Sequence, residues 1–189
     1  MNVKKAIQER RSIRSFDPVD ITDELIKDLA ESAKLTPSCM NKQPWKLIFI
    51  RNETQLQKIF STLTPQNSWA KKSSLIIAVA GKPKDDCRLD GRLYYMYDIG
   101  MATSMILLRA TELGLVTHIM AGFSEEKAKR ILEIPEDLRL IALIAVGKRS
   151  KEVNPELSDL MKLGEKERPP RIPFKRFAYL DKYKEKIND

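Results

Sequence analysis

Three arginines and a serine fall within five residues near the N-terminus, in the run RRSIR at residues 10–14. The guanidinium group is planar and permanently charged, and it binds phosphate oxygens and carbonyl-rich rings through paired hydrogen bonds. Such a run is typical either of a solvated surface or of an anion-binding segment. The run alone leaves both interpretations open.

A second polar cluster lies in the segment PSCMNKQPW at residues 37–45. Ser38 supplies a hydroxyl, Asn41 and Gln43 supply amides, and Trp45 supplies an indole ring. Amides can donate to and accept from a polar heteroaromatic ring, and an indole offers a face for stacking. A polar turn that simply buries its Trp is the equally plain alternative.

Two further segments could approach a ligand. In IMAGFS at residues 119–124, Gly122 permits close backbone approach and Ser124 is placed to cap a helix, whose N-terminus favours electron-rich groups. In RPPRIPF at residues 168–174, the prolines stiffen the chain around Arg171. An ordinary strand-to-helix turn and an extended tail are the alternatives.

The positive charge of the chain is concentrated at its two ends. The 189 residues carry a formal net charge of +8. Residues 1–14 contribute +4, residues 15–147 contribute zero and residues 148–189 contribute +4. This pattern fits a solubilising surface, a nucleic-acid binder, or a phosphate held where the two ends meet.

Several function classes are excluded by what the chain lacks. A single histidine, His118, excludes HExxH and Cys2His2 zinc sites, and no metal site is predicted. No glycine-rich nucleotide fingerprint is present, and the longest apolar runs are far shorter than the roughly 20 residues of a membrane span. Cys39 and Cys87 are too few for a disulfide scaffold, so we expect reduced thiols in a cytoplasmic protein.

Hydrophobic periodicity predicts alternating helices and strands. Helices are expected over residues 3–10, from 23 to a point before Pro37, and over 54–63, 89–113 and 124–132; strands are expected over 46–51, 74–80, 115–120 and 138–146. Gly147 is expected to stop the last strand, and the long helix is expected to be buried on most faces. Residues 1–150 are predicted to form one domain, and 151–189 a polar extension of it.

Taken in order, these segments resemble the nitroreductase family of flavin enzymes. RRSIRSF resembles the family's N-terminal R-[RH]-S-x-[RK]-x-[FY] signature, and PSCMNKQPW resembles its P-S-x-x-N-x-Q-P-W loop. The resemblance implies an α+β fold with a mixed central β-sheet covered by helices on both faces. It also implies a homodimer that holds FMN at the subunit interface, with the C-terminal extension packing on the partner subunit.

The resemblance further implies roles for particular residues, none of them a side-chain acid or base. The predicted cofactor-binding residues are Arg10, Arg11, Ser12, Arg14, Pro37, Ser38, Asn41, Met120, Ala121, Gly122 and Arg171. The loop carrying Pro37, Ser38 and Asn41 is expected to reach the flavin of the other subunit. Asn67 and Lys71 are weaker candidates, and Arg168 or Lys148 is a possible second phosphate ligand.

The activity implied is transfer of a hydride from NADH or NADPH, through FMN, to a small acceptor such as a nitroaromatic or quinone. No nucleic acid and no membrane takes part in this reaction. Two alternatives remain open at this point. One is a flavin-dependent relative of dehydrogenase or dehalogenase type, and the other is a basic, non-enzymatic nucleic-acid binder.

Overall fold

A five-stranded sheet forms the centre of the computed structural model, which describes residues 1–187. Its strands are β1 (Phe16–Asp17), β2 (Lys46–Ile50), β3 (Leu75–Gly81), β6 (Leu115–Met120) and β7 (Arg139–Arg149). β7 pairs antiparallel with β3 on one side and with β6 on the other, β2 pairs with β3, and β1 pairs with the end of β7. An isolated bridge between Ser12 and Thr117 adds a parallel contact.

Six helices surround this sheet. They are α1 (Val3–Glu9), α2 (Asp23–Lys34), α3 (Glu53–Phe60), α4 (Tyr94–Glu112), α5 (Glu125–Ile131) and α6 (Asp159–Lys166). Short 3-10 segments cover Cys39–Asn41, Pro65–Lys72, Pro83–Asp85 and Phe174–Arg176, and a hairpin joins β4 (Arg88–Leu89) to β5 (Arg92–Leu93). Five helices begin at a polar cap whose side chain accepts a backbone N–H three residues on; these caps are Asn2, Thr22, Asn52, Ser124 and Ser158.

The central strand β3 is buried along its whole length. Ile76 and its alternate neighbours pack with α3 and Trp69 on one face, whereas Ile77 and its alternate neighbours pack with α2 and α4 on the other. Successive side chains of a strand point to opposite faces, so a continuous apolar run fits a sheet covered on both sides. The predicted α+β fold with helices on both faces is confirmed.

Two predicted boundaries were wrong. The long helix begins at Tyr94 because Asp90 and Gly91 take left-handed φ angles of 51° and 78°, which turn the chain into the β4–β5 hairpin. β7 continues through Gly147 to Arg149, since the missing side chain lets Phe16 pack there: a Cβ on Gly147 would lie 2.9 Å from the Phe16 ring.

The predicted burial of α4 on most faces also needs correction. Tyr97, Gly100, Ser104 and Met105 form an exposed stripe along one side of this helix. A Cβ added at Gly100 would meet no atom within 4 Å. Gly100 and Ser104 at the helix centre therefore create an open surface, whereas Ala102 and Thr103 are buried inside this chain.

Part of the C-terminal extension packs on the main core. Leu157 is 4% exposed and belongs to the cluster on the α3 face of the sheet. Helix α6 follows it, although no helix was predicted there. Its apolar residues Leu160, Met161 and Leu163 recur at helical spacing, with Met161 packed against the core cluster and the two leucines exposed, so an amphipathic pattern is present and the expectation of an extension without a helix was wrong.

Within residues 1–187, none of the helices combines the length and the apolar character needed to cross a bilayer.

Candidate functional site

The arginine run near the N-terminus is held in place by the end of α6. Arg11 donates to the carbonyl oxygen of Gly164 at 2.6 Å and to that of Lys166 at 3.3 Å, and Arg149 donates to the carbonyl of Glu165 at 3.0 Å. The last carbonyls of a helix lack partners within it and carry a partial negative charge, so cations stabilise them. The guanidinium of Arg11 is therefore occupied as a helix cap.

Glu165 fixes the backbone of the same run. Its carboxylate accepts the N–H of Arg14 at 2.9 Å and the N–H of Ser15 at 3.2 Å, and it is 3% exposed. Arg14 Nη1 lies 3.9 Å from the same carboxylate. A buried carboxylate with two N–H donors and a nearby cation is satisfied, so it positions the loop without leaving an unpaired charge.

Arg10, Arg168 and Arg171 lie close together at the outer edge of this loop. Arg168 donates to the carbonyl oxygens of Gln8 at 2.5 Å and Arg10 at 2.8 Å. The pKa of the Arg10 guanidinium is lowered first by burial and then by the positive charges of Arg168 and Arg171. Among residues 1–187, no carboxylate forms an ion pair with Arg10, Arg168 or Arg171. A cluster of guanidinium groups without acidic partners has the chemistry to bind an anion.

His118 and Trp69 lie against the inner side of the loop. Their ring centroids are 4.5 Å apart, and the Arg14 guanidinium carbon lies 5.8 Å from the Trp69 ring centroid. Burial, assisted by the charge of Arg14, lowers the pKa of His118 to about 4 despite hydrogen bonds with the backbone at Ile13 and Ser12. The imidazole is therefore neutral at pH 7 and serves as packing, which suits a loop that already carries a high positive charge.

The segment Met120–Gly122 is tied to the 3-10 segment beside it. The carbonyl of Gly122 accepts from Thr64 N at 3.0 Å, Thr64 Oγ1 at 3.1 Å and Asn67 Nδ2 at 3.0 Å. A Cβ on Gly122 would lie 2.7 Å from both Asn67 Nδ2 and Thr64 Oγ1, so this position needs glycine for space rather than for φ. Asn67 is thereby placed next to the predicted site.

The Ser38–Asn41 loop is anchored differently. Met40, Asn41 and Gln43 all take left-handed φ angles, of 48°, 57° and 49°. Such conformations cost free energy in residues other than glycine and persist where the surroundings hold them. Here Ser38 Oγ accepts the N–H of Gln43 at 2.9 Å, and Asp98 of α4 accepts the N–H of Cys39 at 2.7 Å.

The expectation of reduced thiols was wrong, because Cys39 forms a disulfide with Cys87, 48 residues further along the chain. The two Cα atoms are 6.1 Å apart, within the range of ordinary disulfides. The only sequence signal was the number of cysteines, and two cysteines are equally compatible with one disulfide. The bridge attaches the Ser38–Asn41 loop to the segment before β4.

The structure thus divides the predicted site residues into separate groups. Arg10, Arg11, Ser12, Arg14 and Arg171 gather where the N-terminus meets the tail. Pro37, Ser38 and Asn41 lie on the other loop, and within residues 1–187 no hydrogen bond or ion pair joins them to those arginines. Lys148 is exposed on β7.

Three residues of the candidate site were missed or ranked low. Glu165 lies in a tail where no helix was predicted, Arg168 was only a substitute candidate, and Asn67 was a weak one. The first two act through backbone groups more than 150 residues away. The acidic and basic residues spaced along the tail are the sequence signal that could have suggested Glu165 and Arg168.

With this geometry established, the sequence matches the model of the Nitroreductase family over residues 7–73 and 53–148. A protein of Archaeoglobus fulgidus, provisionally named NADH dehydrogenase/NAD(P)H nitroreductase, is 31% identical over 76% of this chain and 83% of its own length. The oxygen-insensitive NADPH nitroreductase of Helicobacter acinonychis is 24% identical over 80% of this chain and 89% of its own length.

Solved structures show the same fold. A nitroreductase family protein from Clostridium novyi NT superposes with a TM-score of 0.74, at 28% identity, covering 80% of this chain and 87% of the other. A crystal structure described as an oxidoreductase containing FMN gives a TM-score of 0.84 at 22% identity, covering 98% of this chain and 94% of the other.

Proposed function

Because the chain belongs to the nitroreductase family and is an NAD(P)H oxidoreductase, we propose that it binds FMN and passes a hydride from NADH or NADPH to a small acceptor. Nitroaromatics and quinones are the proposed acceptor class. The observation that carries the proposal is the guanidinium cluster of Arg10, Arg168 and Arg171, which has no acidic partner within residues 1–187.

The residues present fit the FMN phosphate. Arg10, Arg168 and Arg171 lie together where the two basic segments meet; burial and then repulsion by the other two arginines lower the pKa of Arg10, and an anion would relieve that repulsion. Arg171 is exposed and Arg168 is already oriented by two backbone carbonyls. We assign the phosphate to these three side chains.

The remaining predicted residues would surround the flavin ring. Arg14, oriented by Glu165 and Trp69, presents a cation on the ring side of the loop. Arg11, whose side chain caps α6, would contribute its backbone, together with Ser12. Met120, Ala121 and Gly122 would contribute backbone groups in a segment that Thr64 and Asn67 hold rigid.

FMN would supply the hydride-accepting and hydride-donating ring, which no side chain of the protein can replace. The protein's part is to bind and orient that ring and to stabilise negative charge on it. Arg14 and nearby backbone N–H groups suit this electrostatic role. His118, neutral at pH 7 and packed on Trp69, is not assigned a proton-transfer role.

The chain is proposed to act as a homodimer. Exposed apolar side chains lie on three neighbouring helices, α1, α2 and α4; they include Val3, Ile7, Leu35, Met96, Tyr97 and Met105. Apolar surface of this extent is a common sign of a protein contact. Pro37, Ser38 and Asn41 of the partner subunit would then reach the flavin, in agreement with their separation from the arginines of their own chain.

The C-terminal extension carries a second set of exposed apolar residues. Ile172, Phe177, Leu180 and Tyr183 are each more than half exposed. We propose that this part of residues 151–189 packs on the partner subunit, whereas Leu157 stays with its own core. A cytoplasmic location is also proposed, in which the Cys39–Cys87 bridge would be open to exchange with cellular thiols rather than a permanent scaffold.

The direct test is the visible absorption spectrum of the purified protein, followed by a titration with FMN monitored by flavin fluorescence. We expect a flavin band, or quenching of added FMN with saturable binding. Absence of both would contradict the proposal. Binding to DNA that weakens steeply with salt and is unaffected by FMN would instead favour a nucleic-acid binder.

Arg14→Ala sharpens the same test. We expect weaker retention of FMN with an unchanged circular dichroism spectrum, because the backbone of residue 14 keeps its bond to Glu165. Arg130→Ala, an exposed arginine on α5, is the matched control. Unchanged flavin occupancy in Arg14→Ala would remove this residue from the site.

A further inference from the structure

The disulfide lies beside two buried carboxyl groups. Asp86 is 8% exposed and Asp98 is 2% exposed. Asp86 Oδ1 accepts the N–H of Cys87 at 2.7 Å, and Asp98 Oδ2 accepts the N–H of Cys39 at 2.7 Å. Each carboxyl group therefore attaches to the backbone of one of the two bridged cysteines.

The second oxygen of Asp86 lacks a hydrogen-bond donor. Among residues 1–187, no group donates to Asp86 Oδ2, which is fully buried, and its neighbour Asp98 is itself a carboxyl group. A carboxylate oxygen of Asp86 and the sulfur atoms of Cys39 and Cys87 all lie within 4.8 Å of one another. A buried oxygen without a partner carries a high cost as a carboxylate, and that cost is removed when the group holds a proton.

We propose that Cys39 and Cys87 form a redox-active thiol–disulfide centre that exchanges with external dithiols, and that Asp86 is its proton donor. The centre lies outside the arginine cluster and does not require FMN. Its reduction would release the covalent link between the Ser38–Asn41 loop and the segment before β4.

The exchange balances as follows. A thiolate of the external dithiol attacks Cys39 Sγ, forming a mixed disulfide and breaking the Cys39–Cys87 bond; Cys87 Sγ leaves with the electron pair and takes the proton of Asp86. The second thiol of the reductant then attacks the reductant sulfur that is bonded to Cys39. This step releases Cys39 Sγ, which is protonated from water. The dithiol is oxidised by two electrons, the protein gains two thiols, and Asp86 regains its proton from solvent.

The charged surroundings of Asp86 agree with a protonated group. Burial, and then the nearby Asp98 of α4, raise the pKa of Asp86, whereas the N–H of Cys87 and the ammonium of Lys42 oppose this rise. Cys39 is half-buried and precedes the exposed residues 40–43, so its sulfur is the one assigned to be attacked by the external thiolate. Asp86 is bonded to the backbone of Cys87, which suits it to protonate that leaving sulfur.

The test counts thiols in the folded protein, freed of FMN, after equilibration with mixtures of reduced and oxidised dithiothreitol. Acid quenching, alkylation and mass spectrometry report each cysteine. We expect Cys39 and Cys87 to gain and lose their thiols together and reversibly, with the circular dichroism spectrum of the native fold retained. Cysteines that react only when the protein unfolds, or that stay as thiols under oxidising mixtures, would overturn the proposal.

The proton-donor role is tested by the rate of reduction at one pH. Asp86→Asn keeps an oxygen for the N–H of Cys87 but removes the acidic proton, so we expect reduction to slow by about tenfold or more. Asp90→Asn, an exposed change in the adjacent turn, should react at the wild-type rate. If Asp86 had only a structural role, Asp86→Asn would speed reduction, because looser packing exposes the bridge. A faster or unchanged rate of reduction in Asp86→Asn would therefore refute the assignment. Because thiols are the readout, failure of FMN binding would leave this result unaffected.

Discussion

The two loops that carry the predicted flavin contacts are held by different forces. Residues 10–14 are fixed by hydrogen bonds and charge: the α6 end, Glu165 and Arg168 all come from the far end of the sequence. The Ser38–Asn41 loop is fixed by a disulfide and by the buried Asp98. The first loop has a surplus of positive charge, whereas the second has a strained backbone.

This difference indicates that the two loops have different roles. A loop with uncompensated guanidinium groups is suited to an anion, and it stays in place because Glu165 neutralises only its inner side. A loop held in left-handed conformations presents its backbone and amide groups in one arrangement, provided its anchors persist. Acid pH and loss of charge should therefore affect the first loop, and reductants the second.

The largest effect is expected from Glu165→Ala. The change leaves the N–H groups of Arg14 and Ser15 without their acceptor and removes a buried charge partner, at a cost of roughly 3 kcal/mol in the free energy of unfolding. Urea denaturation measures the loss, and faster amide exchange at Arg14 and Ser15 locates it. Glu167→Ala, an exposed change one position beyond α6, should alter neither; equal destabilisation by both variants would remove the anchoring role of Glu165.

His118 is expected to make stability depend on pH. Its folded-state pKa of about 4 lies below the ordinary value of about 6.5, so the unfolded chain binds the proton first. Stability is fully present above pH 6.5 and is lost as the pH falls towards 4, by about 3 kcal/mol for this group. Denaturation curves between pH 7 and pH 4 measure the slope, and His118→Gln should reduce it. An unchanged slope would show that carboxyl groups account for the whole of it.

Arg171→Ala should weaken FMN binding without destabilising the fold. Loss of one charged hydrogen bond costs about 1.5–3 kcal/mol, or roughly tenfold to a hundredfold in Kd. Comparing FMN with riboflavin isolates the phosphate, since riboflavin affinity should not change. Lys175→Ala is the control, being an exposed cation four residues further on. Equal losses for FMN and riboflavin would contradict a phosphate contact.

The smallest effect is expected from Asn41, whose proposed contribution is one neutral amide across the proposed dimer. Asn41→Ala should weaken FMN binding by about threefold to tenfold, in line with roughly 1 kcal/mol for a neutral hydrogen bond. Asn41→Gly removes the same amide, and glycine adopts the φ of 57° readily. It therefore separates the effect of losing the amide from the effect of a changed backbone conformation. Equal affinity for Asn41→Gly and wild type, measured above the dimerisation concentration, would place this loop away from the ring.

The sequence was most informative where a local pattern meets a local requirement. The apolar run of β3 predicted a strand buried on both faces, and the polar residues before α2 and α5 predicted their starts. Predictions failed where a distant contact decides the outcome. Gly147 was expected to end β7, but Phe16 packs over it and the strand continues. α6 was missed although Leu160, Met161 and Leu163 recur at helical spacing, because a pattern of 8 residues is too short to outweigh the prolines and charges around it.

The candidate site divides in the same way. Residue type and spacing identified Arg10, Arg14 and the Ser38–Asn41 loop as chemically capable groups. They gave no account of the partners that position them, because Glu165, Asp98 and Cys87 lie 48 or more residues away from the groups they hold. Spacing in sequence carries no information on such contacts unless a regular periodicity accompanies it.

By itself, the sequence determined the alternation of helices and strands, the concentration of positive charge at both chain ends, and the motifs that resemble the nitroreductase family. These follow from side-chain chemistry and local geometry. Only the tertiary structure decided that the two basic ends meet, that Glu165 neutralises one side of their charge, and that Cys39 bonds to Cys87. Each of these three features requires distant segments to fold together. Burial then decides which charged groups keep partners and which remain open to a ligand.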